Sequence, residues 1–442
     1  MQFYHKLFRN GRITIFKIVK LLFYSFPIIL FFSSSFLNLH ITLLTILGLI
    51  VLNKLKIKFN LSLIDYLILI FFIINLITTI NNISTLGYEN LIKSILTFRF
   101  FLLIWVVRNL LLSQIVNVKL LSIISLISSI LLSLDIFLQH LTGYDIFGFE
   151  PYDGRFNGFF EHEAIAGSYL QKFLILSLLA IFLSNIRKII KVVLITFTLS
   201  IIGSGTLLSF DRMPFLILIF SLILITILLK KFRIIFIFNL LIIISLFFYF
   251  IINFENVRNR YEYLRSDINF QKIFNMSLIK KNLNIPFKND EDAVYLSKQP
   301  LFYGDYSKLF KAAYHVSLQN NFIGSGHKSF VFECIKLKKE NISCNSHPHN
   351  IYLEVLVSTG ILGLFIFIII LLLTLSKLIK LLFQDYINKK RNIVLILFLV
   401  LFIAELIPIR SFGSIFTTFN GSIFWFFFGI ITYINNLYIK NN

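Results

Sequence analysis

The sequence lacks three features, and each absence argues against a class of protein. No set of three or four residues has the spacing of a zinc site, so we do not expect a zinc protein. The basic N-terminal stretch leads into apolar segments without a small-residue cleavage site, which argues against a cleaved signal peptide. No internal repeat is evident, which argues against a transporter built from inverted repeats.

Apolar residues are what the sequence has in abundance. Hydrophobic residues make up 57% of the chain, and the mean hydropathy is +0.84. Apolar runs of about 20 residues, long enough to cross a bilayer, recur along the chain. These features are typical of an integral membrane protein. The net charge of +21 does not indicate a nucleic-acid partner, because most lysines and arginines lie in short loops on one side of the predicted membrane.

Twelve apolar segments predict an all-α polytopic membrane protein with twelve transmembrane helices. The loops between them alternate between basic and non-basic, and this alternation places both termini in the cytoplasm. The predicted spans cover residues 21–38, 40–53, 61–80, 91–107, 120–138, 164–184, 190–208, 213–229, 234–253, 349–376, 392–408 and 421–438.

One long hydrophilic segment, residues 254–348, divides the chain. It separates nine predicted spans in residues 1–253 from three in residues 349–442, and the charge rule places it outside the cytoplasm. Within it, Asp305–Gln319 has the apolar spacing of an amphipathic helix. We therefore expect a mostly helical loop that folds on the membrane surface.

The two cysteines of the chain, Cys334 and Cys344, both lie in this outer loop. Two cysteines so close together in an oxidising compartment favour a disulfide, which would close a small loop just before His347. The alternative is two free buried thiols.

A short polar segment that ends at Asn350 precedes a long apolar run. Pro348 suits the first turn of a helix, and Ser346 or His347 would then be the N-cap. His349 would lie in the first turn, whose unpaired N–H groups attract anions and keep a histidine neutral. A proton acceptor beside an anion site at a membrane surface indicates chemistry on a phosphorylated lipid. The alternative is that the histidines only cap a helix.

Several further stretches have a distinctive mix of small, aromatic and charged residues. They are Arg155–His162, Ser209–Arg212, Asn321–Phe330 and Gly360–Leu364. Together with His347–Glu354, their order and spacing resemble the signature of the O-antigen ligase and O-antigen polymerase superfamily.

This resemblance implies an inverting, metal-independent glycosyltransferase of the bacterial inner membrane that needs no nucleotide or other cofactor and has its active site facing the periplasm. Such proteins move a glycan from an undecaprenyl diphosphate carrier in the lipid bilayer to an acceptor. A ligase uses the lipid A core as acceptor, whereas a polymerase uses a second carrier-linked glycan. The ligase is the first hypothesis and the polymerase is its alternative, since the sequence separates the two poorly. A non-enzymatic transporter of lipid-linked sugars is the third hypothesis.

The resemblance also implies two catalytic residues. His349 matches the essential histidine of the family, and we expect it to act as the base on the acceptor hydroxyl or to position that hydroxyl. Arg212 opens a predicted span and matches the arginine of the family's turn, so it is expected to bind the diphosphate. The alternative for Arg212 is a snorkelling anchor or a pair with Asp211.

Four further residues are candidates for substrate binding. His347 would orient or cap, and Asn350 would hold a histidine or a sugar hydroxyl, with a helix-start role as its alternative. Glu354 lies one turn below Asn350 and would orient a partner or pair with a buried base. Arg155 would contact the donor sugar, with a loop salt bridge as its alternative.

The family also has an essential arginine in its large outer loop, and this sequence departs from that pattern. Where the arginine is expected, Lys308 is the nearest cation and would supply a point charge without bidentate geometry. Arg258, Arg260 and Arg265 are alternatives, of which Arg265 is the first choice, and each has a surface charge as its simpler explanation.

Two cations fall inside predicted spans. Arg99 lies within the fourth and Lys172 within the sixth. Charges in a bilayer are costly and face a cavity or a partner. These two either line a groove for the lipid carrier or pair with Asp135 or Glu405.

Overall fold

The computed structural model describes residues 12–161, 163–254, 258, 305–337, 342–387, 392–408, 410, 411 and 413–440. This part of the chain is helical and has no β-strand, apart from one isolated bridge between Tyr152 and Arg155. The helices are α1 (Arg12–Tyr24), α2 (Phe26–Ile29), α3 (Ser34–Lys54), α4 (Leu63–Asn81), α5 (Ile83–Leu96), α6 (Phe98–Leu112), α7 (Val118–Thr142), α8 (Ala166–Phe182), α9 (Lys188–Leu208), α10 (Arg212–Leu228), α11 (Arg233–Asn253), α12 (Asp305–Gln319), α13 (Phe330–Lys336), α14 (Ile351–Ile387), α15 (Ile393–Glu405) and α16 (Thr418–Lys440).

The helices confirm the prediction of an all-α membrane protein. In the described residues, seven helices are long and apolar enough to cross a membrane, and α8, α10 and α15 are shorter apolar helices. Most predicted spans from residue 120 onward begin and end within about three residues of an observed helix. The total of twelve spans remains a prediction.

Three of the first four predicted spans have the wrong boundaries. The span predicted at 21–38 crosses a break, because α1 ends at Tyr24 and α3 begins only at Ser34. Pro27 lies in the first turn of the short helix α2, where its missing N–H breaks no hydrogen bond. The second span, 40–53, starts too late, because α3 already begins at Ser34. The fourth span, 91–107, is too short, because it lies within the longer apolar segment Ile83–Leu112, in which α5 and α6 meet at Thr97.

The centre of the bundle is formed by α8 and α15, which are buried on nearly every face. Lys172 of α8 lies 3.9 Å from Glu405 of α15, and Arg410 lies 2.9 Å from the same carboxylate. Gln171 also accepts a 3.2 Å hydrogen bond from Arg410. Lys172 is therefore part of a buried charged group that joins α8 to the end of α15.

Asp135 and Arg99, which the sequence also suggests as a buried ion pair, contact different parts of the chain. Asp135 accepts a 2.9 Å hydrogen bond from the backbone N–H of Ile146, so its contact is with the following loop. Arg99 lies 3.4 Å from the hydroxyl of Thr418, at the start of α16. Arg99 lies in α6, inside the apolar segment Ile83–Leu112 that contains the fourth predicted span.

The amphipathic helix predicted at Asp305–Gln319 is α12, with the same bounds. Its apolar face packs on α13 and α14 in a small core of its own, separate from the core of the bundle. The buried members of this outer core are Leu309, Ala312, Ala313, Val316, Phe330, Cys334 and Val357. The outer segment is thereby attached to the transmembrane helix that follows it.

A turn at residues 320–329 docks against a kink in α14. The kink is at Gly360, where φ is +67° and ψ is −171°, and the turn brings Gly324, with φ +87°, against it. Backbone hydrogen bonds join the two segments: Ser325 N–H to Val357 O (2.8 Å), Gly326 N–H to Ser358 O (2.9 Å) and Ile361 N–H to Asn321 O (2.9 Å). The kink exposes backbone groups that a regular helix would use internally.

Cys334 and Cys344 are joined as a disulfide in the structure, with their Cα atoms 5.7 Å apart. Cys334 is buried in the outer core, so the bridge attaches the segment before the histidines to α13. We expect mass spectrometry of unreduced, periplasmically matured protein to find a peptide pair joined through these residues. Free thiols at both positions in such material would contradict the prediction.

Candidate active site

The start of α14 differs from the prediction in its cap. The helix begins at Ile351, and Asn350 Oδ1 accepts hydrogen bonds from the backbone N–H groups of Tyr352 and Leu353, both at 3.1 Å. Asn350 is therefore the capping residue, as expected of a short amide side chain. The predictions of Ser346 or His347 as N-cap, and of His349 within the first turn, are wrong.

Loop 406–417 is attached to this helix start. The Asn350 amide donates a 2.6 Å hydrogen bond to Pro408 O, and the Tyr352 hydroxyl donates a 2.7 Å bond to Leu406 O. Glu354 accepts a 3.1 Å hydrogen bond from the backbone N–H of Ile415. Asn350 and Glu354 therefore both hold this loop against the start of α14. The contacts favour the helix-start alternative for Asn350.

His347 and His349 lie side by side just outside the helix. Their ring centroids are 4.0 Å apart, and His349 has a left-handed backbone with φ +53°. The Ser346 hydroxyl lies 2.9 Å from Nδ1 of His347. Nε2 of His347 is buried and has no hydrogen-bond partner among the residues that the structure describes.

Asn345 sets the proton position on His349. The Asn345 side-chain oxygen accepts a 2.7 Å hydrogen bond from the backbone N–H of Ser346, which directs its NH₂ group toward Nε2 of His349 at 3.3 Å. An amide NH₂ can only donate, so Nε2 is the unprotonated nitrogen of the neutral ring. His349 thus presents a basic lone pair on a segment that is partly open to solvent.

Burial keeps both imidazoles neutral. It lowers the pKa of His349, and the positive charge of Arg155 lowers this pKa further. The pKa of His347 falls to about 4, first through burial and then through His349 and Lys328. A base whose pKa is lowered keeps its unprotonated form to lower pH than a free histidine does.

Arg155 connects the histidine pair to the start of α10. Its Nη1 lies 3.2 Å from Asp211 Oδ1, and the other oxygen of Asp211 accepts a 3.1 Å hydrogen bond from the backbone N–H of Gly167. A weaker ion pair of 3.9 Å joins Arg155 to Asp153. The predicted loop salt bridge is therefore present, and the same guanidinium also acts on His349.

Two of the remaining predicted cations, Arg212 and Lys308, lie in described helices. Arg212 is the first residue of α10, directly after Asp211, so it belongs to the corner that Arg155 contacts; its role in diphosphate binding remains a prediction. Lys308 is exposed on α12. Arg265, the first choice for the loop arginine, lies outside the described residues, as does Arg260.

Sequence reasoning did not single out Lys328 as a site residue. It is half-buried, it has a left-handed backbone with φ +53°, and its charge acts on His347. Its only signal in the sequence is its position in the glycine-containing stretch Asn321–Phe330. The charge of one cation therefore acts on each histidine, Arg155 on His349 and Lys328 on His347.

A comparison with protein families places most of these residues in one domain. The family model described as O-antigen ligase matches residues 197–368. The matched region begins in α9 and extends through Arg212, the histidine pair and the kink at Gly360, whereas Arg155 precedes it. A comparison with curated proteins gives no significant match. The family match confirms the resemblance that the motifs indicate.

Proposed function

Because residues 197–368 match the O-antigen ligase family model, we propose that the protein transfers a glycan from undecaprenyl diphosphate to the lipid A core, by an inverting and metal-independent reaction. The observation that carries this proposal is the neutral His349, which offers a basic nitrogen close to the positive charge of Arg155. A base next to a phosphate-binding cation is what this transfer requires.

The proposed step begins at the acceptor. A sugar hydroxyl attacks the anomeric carbon of the donor while Nε2 of His349 takes the hydroxyl proton. The new C–O bond forms as the bond between the anomeric carbon and the diphosphate oxygen breaks. The diphosphate leaves with the electron pair, and attack from the opposite face inverts the anomeric centre. The acceptor hydroxyl would replace Asn345 as the hydrogen-bond donor to Nε2.

The diphosphate is already a good leaving group, so the main requirement is to neutralise the charge that it gains. Arg155 and Arg212 belong to the same corner of the fold, at the start of α10. A guanidinium matches phosphate oxygens with two parallel hydrogen bonds and remains charged at any physiological pH. In this proposal the two arginines hold the leaving group, and His347 orients His349 or the acceptor.

The polymerase remains the alternative, because it differs only in the acceptor. A second carrier-linked glycan would present a hydroxyl to the same base, and the described residues contain nothing that selects one acceptor. The transporter hypothesis is disfavoured, since the sequence has no evident internal repeat and the histidine pair lies at one end of a helix. The predicted periplasmic orientation follows from the distribution of lysine and arginine.

A deletion strain, analysed by lipopolysaccharide gel, tests the proposal. We expect bare lipid A core together with accumulated carrier-linked polymer. Complementation with the intact gene should restore the glycan ladder. Core that carries a single repeat would assign the polymerase activity instead. Lipopolysaccharide with an unchanged ladder would contradict both glycosyltransferase activities.

A further inference from the structure

Lys328 is held rigidly by the turn that docks on α14. The backbone N–H of Gly326 bonds to Ser358 O at 2.9 Å, and the N–H of His327 bonds to the hydroxyl of Thr79 at 2.9 Å. On the other side, Ser329 is the N-cap of helix α13, and the first residue of that helix, Phe330, is buried in the outer core. The backbone of residue 328 is therefore fixed on both sides, and its long side chain extends from a defined point.

The ammonium group of Lys328 makes no salt bridge to any carboxylate of the described residues. Two carboxylates contribute to its field, but Glu354 is used by the backbone of loop 406–417 and Glu89 pairs with Lys93. Arg99 adds another positive charge.

Burial is the main cause that lowers the pKa of Lys328, and the charge of Lys93 lowers it further. This direction is the one expected of a cation that is partly removed from water and that has no direct ion pair. The charge of Lys328 also acts on His347, whose buried Nε2 has no hydrogen-bond partner among the described residues. The ammonium therefore acts on an imidazole that itself has an unsatisfied nitrogen.

We propose that Lys328 binds a phosphate group of one of the two lipid-linked substrates, on the side of the histidine pair that His347 occupies. This inference rests on the proposed function and adds a second cationic contact to it. A phosphate there would supply the missing negative charge, and its oxygens would accept the ammonium protons. The phosphate belongs either to the donor diphosphate or to a phosphorylated acceptor.

Binding to the purified full-length protein in lipid nanodiscs tests the proposal. The donor probe is undecaprenyl diphosphate, and the acceptor probe is lipopolysaccharide that ends at the phosphorylated core. K328M removes the charge and keeps the length of the side chain, whereas K328R keeps the charge. K336M is the matched control, because Lys336 lies in α13 of the same outer segment and forms an exposed ion pair with Glu333.

We expect K328M to weaken the binding of one phosphorylated probe about tenfold or more, as the loss of a charge-assisted contact should. K328R should retain most of that affinity, and K336M should bind like the wild type. Weaker binding of undecaprenyl diphosphate would assign the contact to the donor, and weaker binding of the core would assign it to the acceptor. Unchanged binding of both probes would overturn the proposal.

Two further measurements distinguish an error in this inference from misfolding of the variant and from an error in the proposed function. Undecaprenol has the same chain without phosphates, so its unchanged binding would report that K328M is folded; K328Q offers a second neutral variant. H349A should bind undecaprenyl diphosphate normally and fail in turnover. If H349A turns over normally, the proposed function is wrong, whatever K328M does. If H349A fails in turnover but K328M binds both probes like the wild type, only the role proposed for Lys328 is wrong.

Discussion

H349A is expected to abolish surface glycan while the protein remains in the membrane at its normal level. The side chain lies outside the helices, on a partly exposed segment, so its removal leaves the packed core intact. A general base contributes about 10²- to 10⁴-fold to the rate of a transfer reaction. The loss should be visible on a lipopolysaccharide gel and as a lower turnover of the purified protein with carrier-linked donor.

A second histidine of the outer segment provides the control. His315 lies on α12, away from the histidine pair in the chain, and it is also partly exposed. H315A should keep the glycan ladder of the wild type. A normal ladder in the H349A strain, with protein of the correct size in the membrane fraction, would remove His349 from the mechanism.

G360A is expected to destabilise the protein by about 3 kcal/mol or more, measured by thermal unfolding of the purified protein. At φ +67° and ψ −171°, Gly360 occupies a backbone region that is open almost only to glycine. An added Cβ would also overlap the carbonyl oxygen of Phe322 and lie 2.7 Å from the backbone nitrogen of Gly324. The turn at 320–329 would therefore have to leave the kink.

Gly87 provides a matched control for this effect. It lies at a kink inside α5 with φ +76° and ψ +165°, close to the backbone conformation of Gly360, but an added Cβ there would meet no atom within 4 Å. G87A should therefore show only the backbone strain, about 1–2 kcal/mol. An equal loss of stability in G360A and G87A would mean that the docked turn contributes little.

The helical fold follows from the sequence wherever polarity changes sharply. The three helices between residues 188 and 253 begin at Lys188, Arg212 and Arg233, so charge alone locates their starts. The amphipathic helix α12 has the predicted bounds because its apolar residues recur at helical spacing. The sequence does not predict the break between Tyr24 and Ser34, because proline and serine also occur inside transmembrane helices and do not by themselves mark where a helix ends.

The candidate site is predictable only in part. The histidines stand out because two titratable residues at the start of an apolar run are conspicuous in sequence. The choice of Asn350 as cap depends on where the helix begins, which local patterns locate only within a few residues. The importance of Arg155 and Lys328 depends on contacts between residues far apart in the chain and on left-handed backbone angles, which no local pattern specifies.

Gly167, in the first turn of α8, connects the candidate site to the middle of the bundle. Its N–H holds the carboxylate of Asp211 that positions Arg155, and an added Cβ would lie 2.5 Å from Ser209 Oγ and 2.7 Å from Asp211 Cβ. Any larger side chain there would push α10 away from α8 and turn the arginine away from the imidazole. A substitution at Gly167 is remote from the histidines and changes only packing, but we expect it to lower substrate turnover.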